Sequence, residues 1–223
     1  MTARFIESEE AAAHFKGKSV VIVGSAPSVM DNDPRFIDSH DVVVRVNNYK
    51  ISKQAGYRCD VFYSFFGMSI RKTVNELKRD GVKLCLCKCP DDKPIQSAWH
   101  EQNMMQAGID FRTLYRRRQQ FWFCDTYIPT TMEFLVLFNK LNQHVSTTGF
   151  AAIWDILKFS PKSLYLTGFD FFESGLHNVD EKWRPGKPDD PIGHRPDLEM
   201  ALLGELRKKH PITVDKVLEF LLP

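Results

Sequence analysis

What is scarce in this chain sets the first limits on it. No apolar run approaches the roughly 20 residues that a bilayer-spanning helix needs. The N-terminal stretch MTARFIESEEAAAHF carries acidic residues ahead of its alanines, unlike a secretory signal. A cytoplasmic protein or a soluble catalytic fragment is expected. Charge of one sign is not in excess: 30 Lys and Arg against 28 Asp and Glu leave +2, too little to imply a nucleic-acid partner. Cysteines number five, an odd count without a secretion signal, which favours free thiols over a disulfide framework. Cys85, Cys87 and Cys89 alternate within VKLCLCKCP and would share one face of a strand as small buried hydrophobes. A zinc site would space its cysteines more widely and recruit a second cluster, so no metal is expected. Glycine is thin where a nucleotide site would show it. The run Ser19–Val23 enters Gly24-Ser25-Ala26-Pro27-Ser28, with one glycine where a dinucleotide turn has three and no P-loop lysine.

What is present suits one soluble domain spanning residues 1–223, with 43% apolar and 26% charged residues. Strand-like runs alternate with helix-like ones. Ser19–Val23, Asp41–Val46, Cys59–Tyr63, Val82–Cys87, Phe111–Leu114, Ser163–Thr167 and Ile212–Val214 read as strands, several apolar on both faces as covered parallel strands are. Met68–Asp80, Met132–Leu141, Gly149–Phe159 and Arg195–Lys209 read as helices, with Gly81 and Pro161 as stops and Pro196 as a start. The expected fold is α/β: a single doubly wound, Rossmann-like parallel sheet flanked by helices. The irregular stretch from Glu173 to Gly193 is long enough to serve as a lid. Arg116-Arg117-Arg118, near Arg112 and Trp122, reads either as a solvated face or as a contact for an anionic acceptor or membrane surface.

In such sheets ligands sit beyond the carboxyl ends of the strands, and polar residues gather there. Gly24, Ser25 and Ser28 form a turn able to face an anion; Arg45, Asn47 and Asn48 end the next strand. Ser146, Thr147, Thr148 and Gly149 open an apolar helix, where hydroxyls can cap the helix and hold a phosphate. His194 precedes a helix started by Pro196, whose positive end favours the neutral imidazole that a general base requires. Asp31-Asn32-Asp33 is a D-x-D, but it stands before Pro34 in a turn-rich stretch rather than at a strand end.

Taken in order, these motifs resemble those of the sialyltransferases and their bacterial relatives. Val20 to Asn47, through Ile37-Asp38-Ser39-His40-Asp41, resembles the family's long motif. Ser146–Phe150 with Leu164–Phe169 resembles the short motif, and His194 with Glu199 resembles the very short H-x-x-x-x-E. The resemblance implies a glycosyltransferase that moves a ulosonic acid, sialic acid or Kdo, from a CMP-sugar donor to a glycan acceptor, without a metal cofactor. Gly24, Ser25, Ser28 and Asn47 would hold ribose and phosphate, and residues 146–149 would cradle the CMP from the other side. His194 would be the general base that deprotonates the acceptor hydroxyl, or a donor to the leaving phosphate. Asp170 and Glu173, with Asp60, are candidates for the nucleophile of a retaining variant, and His177, Trp183 and Arg184 for the lid. Ser25 stands where the animal enzymes carry asparagine, and the long and short motifs hold none of the cysteines that those enzymes join. These departures imply a bacterial relative serving surface polysaccharide synthesis, with a peripheral membrane or lipid-linked acceptor as a further partner. A nicotinamide oxidoreductase and a non-catalytic nucleotide- or glycan-binding module are the alternatives.

Overall fold

The computed structural model describes residues 4–66, 70–90, 123–174 and 193–222. Eight strands form one sheet: β1 (Phe5–Ile6), β2 (Ser19–Val23), β3 (Val42–Val46), β4 (Val61–Ser64), β5 (Leu84–Cys87), β6 (Asp125–Tyr127), β7 (Ser163–Thr167) and β8 (Ile212–Val214). Their order is β1-β6-β5-β4-β3-β2-β7-β8, and every neighbouring pair is parallel. From β2 the chain builds outward through β3, β4, β5 and β6, then returns to add β7 and β8 on the other side. The order therefore reverses between β2 and β7, which is where a doubly wound sheet opens its ligand crevice.

The central strands β2 and β3 are valine-rich because both faces are covered. On β3, Val42, Val44 and Val46 belong to the larger core with Ala152, Ile156, Leu203 and Leu218. Val43 joins Val21, Val23, Ile37 and Ala55 on the other face, as side-chain alternation requires. The first face packs α1 (Ser8–Ala13), α4 (Thr131–Lys140), α5 (Thr148–Lys158), α6 (Pro196–Arg207) and α7 (Lys216–Leu221). The second carries α2 (Pro34–Asp38) and α3 (Val74–Arg79) with the loops near residues 49–66. Local signals set the helix ends: Thr73 with Glu76 and Thr130 with Glu133 form reciprocal capping boxes. After α3, Gly81 takes φ 90°, the left-handed geometry that glycine permits.

The expected strands at Ser19–Val23, Ser163–Thr167 and Ile212–Val214 match in extent, and the expected helices over 132–141, 149–159 and 195–209 are α4, α5 and α6 within a few residues. Of the expected helix over 68–80, Val74–Arg79 is helical. The short β1, β6, α1, α2 and α7 had no counterpart in the pattern, because two to six residues hold too little periodicity. The expected strand Phe111–Leu114 and the basic cluster at Arg112, Arg116–Arg118 and Trp122 lie outside the described residues. The expectation for Asp60 is corrected. It precedes β4, at the amino end of the sheet, and its carboxylate accepts from the Val43 N–H at 2.9 Å and from Arg58 at 2.8 Å.

Candidate functional site

The crevice between β2 and β7 is built on glycine contacts. The Gly24 N–H donates to the Thr167 carbonyl at 2.8 Å and the Ala26 N–H to the Gly168 carbonyl at 2.8 Å. A methyl group on Gly24 would lie 2.1 Å from the Gly168 oxygen, so glycine is required here for the approach of two backbones. Those two N–H groups are consumed by β7 and are not offered to a pyrophosphate. The Phe169 ring spans from this turn to α5: a methyl on Gly149 would come within 2.6 Å of its Cε1, and one on Gly24 within 3.3 Å of its Cδ2. Gly149 thus lets the helix N-terminus close over Phe169. That contact links the turn after β2 to the segment before α5.

Several residues expected to bind the nucleotide have structural partners. The Ser28 hydroxyl donates to Asp215 at 3.2 Å; the same carboxylate accepts from the Thr167 hydroxyl at 2.9 Å and the Gly168 N–H at 3.0 Å. Arg45 is fully buried on the α2 face, donating to the carbonyls of Arg58 and Ala55 at 2.7 Å each and to that of Lys50 at 3.4 Å. Strand parity sends it away from the α5 side. Asn48 accepts from the Arg71 N–H at 2.7 Å. The Asp33 of the D-x-D caps α2 by accepting from the Arg35 N–H at 2.9 Å. Among the described residues no group of three His, Cys, Asp or Glu side chains converges as a metal site.

Others keep polar groups uncommitted among the described residues. Ser25 and Asn47 each lie two residues beyond the register pair Val23↔Arg45, just past the carboxyl ends of β2 and β3. Asn47 adopts φ 48°, a conformation that asparagine tolerates, and its side-chain oxygen accepts from the Ser64 hydroxyl at 3.1 Å. Its amide nitrogen and the Ser25 hydroxyl meet no described residue. At α5, Thr147 is the cap, with its hydroxyl accepting from the Phe150 N–H at 3.2 Å. The N–H groups of Thr148 and Gly149 and the Thr148 hydroxyl have no described partner, so the positive end of an 11-residue helix is left for an anion. The Ser146 hydroxyl, on a residue 4% exposed, is likewise unpartnered.

Three successive residues of the segment before α5 are each gripped by a polar side chain. His194 Nδ1 lies 2.7 Å from the Val145 carbonyl. A carbonyl only accepts, so Nδ1 carries the hydrogen, and in the neutral ring the lone pair is then on Nε2. Lys88, the first residue beyond β5, donates its ammonium to the Ser146 carbonyl. Glu199 on α6 accepts from the Thr147 N–H at 2.5 Å and from its hydroxyl at 2.8 Å. Glu199 is wholly buried; burial pushes its carboxyl up to about 7, against the downward pull of the Thr147 hydrogen bonds and the Lys88 charge. Burial holds the Lys88 ammonium below its ordinary range.

Of the carboxylates expected as nucleophiles, Asp170 and Glu173 follow the carboxyl end of β7. Asp170 is buried and accepts from the Phe172 N–H at 3.0 Å and the Ser174 N–H at 3.3 Å. It thereby holds Phe171 and Phe172 at φ 49° and 69°, a strained pair directly after the crevice. Glu173 is exposed on that turn. His177, Trp183, Arg184 and most of the lid segment 173–193 lie outside the described residues. Lys88 and Glu199 were not among the residues expected in the site. Glu199 stood in the H-x-x-x-x-E match, and Lys88 stands at a strand's carboxyl end, the position that marks ligand residues in such sheets.

No protein-family model and no curated protein matches the sequence. Solved structures do match. A monofunctional α-2,3-sialyltransferase, Cst-I from Campylobacter jejuni, superposes with a TM-score of 0.60 at 15% identity, over 93% of this chain and 80% of that one. The protein has the sialyltransferase fold. CstII from the same organism, in complex with the substrate analogue CMP-3FNeuAc, gives 0.55 at 16% identity, over 88% of this chain and 81% of that one. A mammalian sialyltransferase in complex with Gal-beta-1-3GalNAc-ortho-nitrophenol gives 0.54 at 15% identity, over 90% and 70%. No helix among the described residues is long and apolar enough to cross a membrane.

Proposed function

We propose that this protein is a CMP-sugar-dependent glycosyltransferase that moves a ulosonic acid, sialic acid or Kdo, onto a glycan acceptor in the synthesis of a bacterial surface polysaccharide. The observation that carries this reading is His194. Its tautomer is set by the Val145 carbonyl, and that same segment leads into the uncommitted N–H groups and hydroxyl at the start of α5. A base hydrogen-bonded to the segment that opens into an anion cradle suits a reaction in which an acceptor hydroxyl loses a proton while a phosphate leaves.

The α5 N-terminus, with Thr148, would take the CMP phosphate, and Ser25 and Asn47 would reach the ribose from the ends of β2 and β3. His194 Nε2 takes the acceptor proton, the acceptor oxygen attacks the anomeric carbon, and the bond from that carbon to the phosphate oxygen breaks. CMP departs with both bonding electrons, its charge met by the helix terminus. One displacement inverts the anomeric centre. It suits the placement of Asp170, whose two oxygens are engaged with backbone N–H groups, and of Asp60 at the far end of the sheet. A single phosphate also fits a turn whose Gly24 and Ala26 N–H groups are spent on β7.

A thermal-shift panel of CMP, UMP, UDP, GDP and NAD tests the nucleotide: CMP is expected to stabilise the fold, and stabilisation by UDP or NAD without CMP refutes the proposal. Turnover of CMP-sialic acid and CMP-Kdo, compared in the parent and His194→Ala, tests the base. A loss in kcat of roughly 100- to 10,000-fold is expected; unchanged turnover would remove His194 from the mechanism.

A further inference from the structure

We propose that Lys88 is a positioning residue that works from the core side of the site: it holds the 145–147 segment and supplies the counter-charge that lets Glu199 hold Thr147, so that the Val145 carbonyl keeps His194 as a base. This rests on the functional reading above. Lys88 is 6% exposed, yet among the described residues its ammonium makes one hydrogen bond, to the Ser146 carbonyl. A buried cation is costly unless an opposite charge stands close, and the acidic groups acting on Lys88 are the thiol of Cys89, next along the chain, and the carboxyl of Glu199. The two approach the same segment from different elements, β5 and α6, and grip adjacent residues, Ser146 and Thr147. Val145, one residue earlier, is the partner of His194, and His194 lies five residues before Glu199.

The segment is thus fastened at three consecutive positions, and two of the fasteners carry opposite charges. An ionised Glu199 has oxygens for both the N–H and the hydroxyl of Thr147; a protonated one must give up an accepting lone pair to its own hydrogen. The charged groups acting on Glu199 are Lys88, which favours ionisation, and Asp197 on α6, which opposes it, with Thr147 as its hydrogen-bonding neighbour. Removing the Lys88 charge therefore shifts Glu199 toward its neutral form and loosens Thr147. Loss of the Lys88 bond frees the Ser146 carbonyl and, with it, the peptide that aims the Val145 carbonyl.

Two variants separate these effects. Lys88→Gln keeps a donor for Ser146 but removes the charge; Lys88→Met removes both. In CMP-sugar turnover, Lys88→Gln is expected to move the acid limb of the pH–kcat profile upward by about one unit. Lys88→Met should also lower kcat by roughly 10- to 100-fold, with KM for the donor changed less than threefold. Nitrogen-15 spectra of the imidazole provide a reading independent of activity: His194 is expected as the Nδ1–H tautomer in the parent and as a mixture in Lys88→Met. An unmoved acid limb in Lys88→Gln, or an unchanged His194 tautomer in Lys88→Met, overturns the proposal. Should the parent turn over no CMP-sugar, the functional reading fails, while the tautomer still decides the role of Lys88. If Lys88→Met does not fold, the acid limb and tautomer of Lys88→Gln decide it.

Discussion

Replacing Glu199 with glutamine should change how stability depends on pH, and the structure sets the size of the effect. The carboxyl is wholly buried and pushed up to about 7 from an ordinary 4.5. At about 1.36 kcal/mol per pKa unit, ionising it in the folded chain costs about 3 kcal/mol more than in the unfolded one. The folded state therefore holds the proton more tightly, and stability falls as pH rises from about 4.5 to 7, then levels off. Glutamine has no such proton. Its oxygen can accept from the Thr147 N–H, so the variant keeps much of the local geometry. Other titrating groups, including His14, which burial shifts downward, cancel when variant and parent are compared at each pH. The stability of the parent minus that of Glu199→Gln should fall by about 3 kcal/mol between pH 4.5 and 8. In melting temperature that is roughly 6 to 12 °C for a domain of this size. Urea unfolding at a series of pH values measures it directly. A difference that stays flat across this range would show that Glu199 titrates as an exposed carboxylate and is not desolvated by its position on α6.

The glycine contacts and the buried arginine yield further expectations. Gly149→Ala should cost roughly 1–3 kcal/mol, because its methyl meets a Phe169 ring that can shift. Gly24→Ala meets the Gly168 carbonyl instead and should lose the fold, as circular dichroism would register; a native melting curve for it would refute the close approach of the two turns. Arg45→Met leaves three carbonyls without their donor and should destabilise by about 3 kcal/mol or more, with CMP affinity unchanged in the folded fraction. A loss of CMP affinity at unaltered stability would return Arg45 to the binding site.

The candidate site was legible in the chain where short local patterns carry it. The Thr147 cap, Pro196 at the start of α6, and a histidine just ahead of that helix are contiguous signals, and each lies where the sequence placed it. Arg45 shows what such patterns miss. In the sequence it closes a strand beside two asparagines and looks like a ligand residue. In the fold its position on β3 turns it toward α2, where the loop after β3 returns three carbonyls to it. Ser28 is similar: a hydroxyl in a promising turn is claimed by Asp215, nearly 190 residues away.

The sequence alone determined the alternation of strand and helix, the parallel sheet covered on both faces, and the carboxyl-end placement of the polar motifs. These follow from hydrophobic period, caps and breakers, all of which act over a few residues. Only the tertiary structure decided which of those polar groups remain available. It joined Gly24 to Gly168 and Phe169 to Gly149, and it brought Lys88 and Glu199 to the two residues before α5. The physical reason is that burial and hydrogen-bond satisfaction depend on partners far away in the chain. A lysine and a glutamate 111 residues apart read as two surface charges until the fold takes water from both.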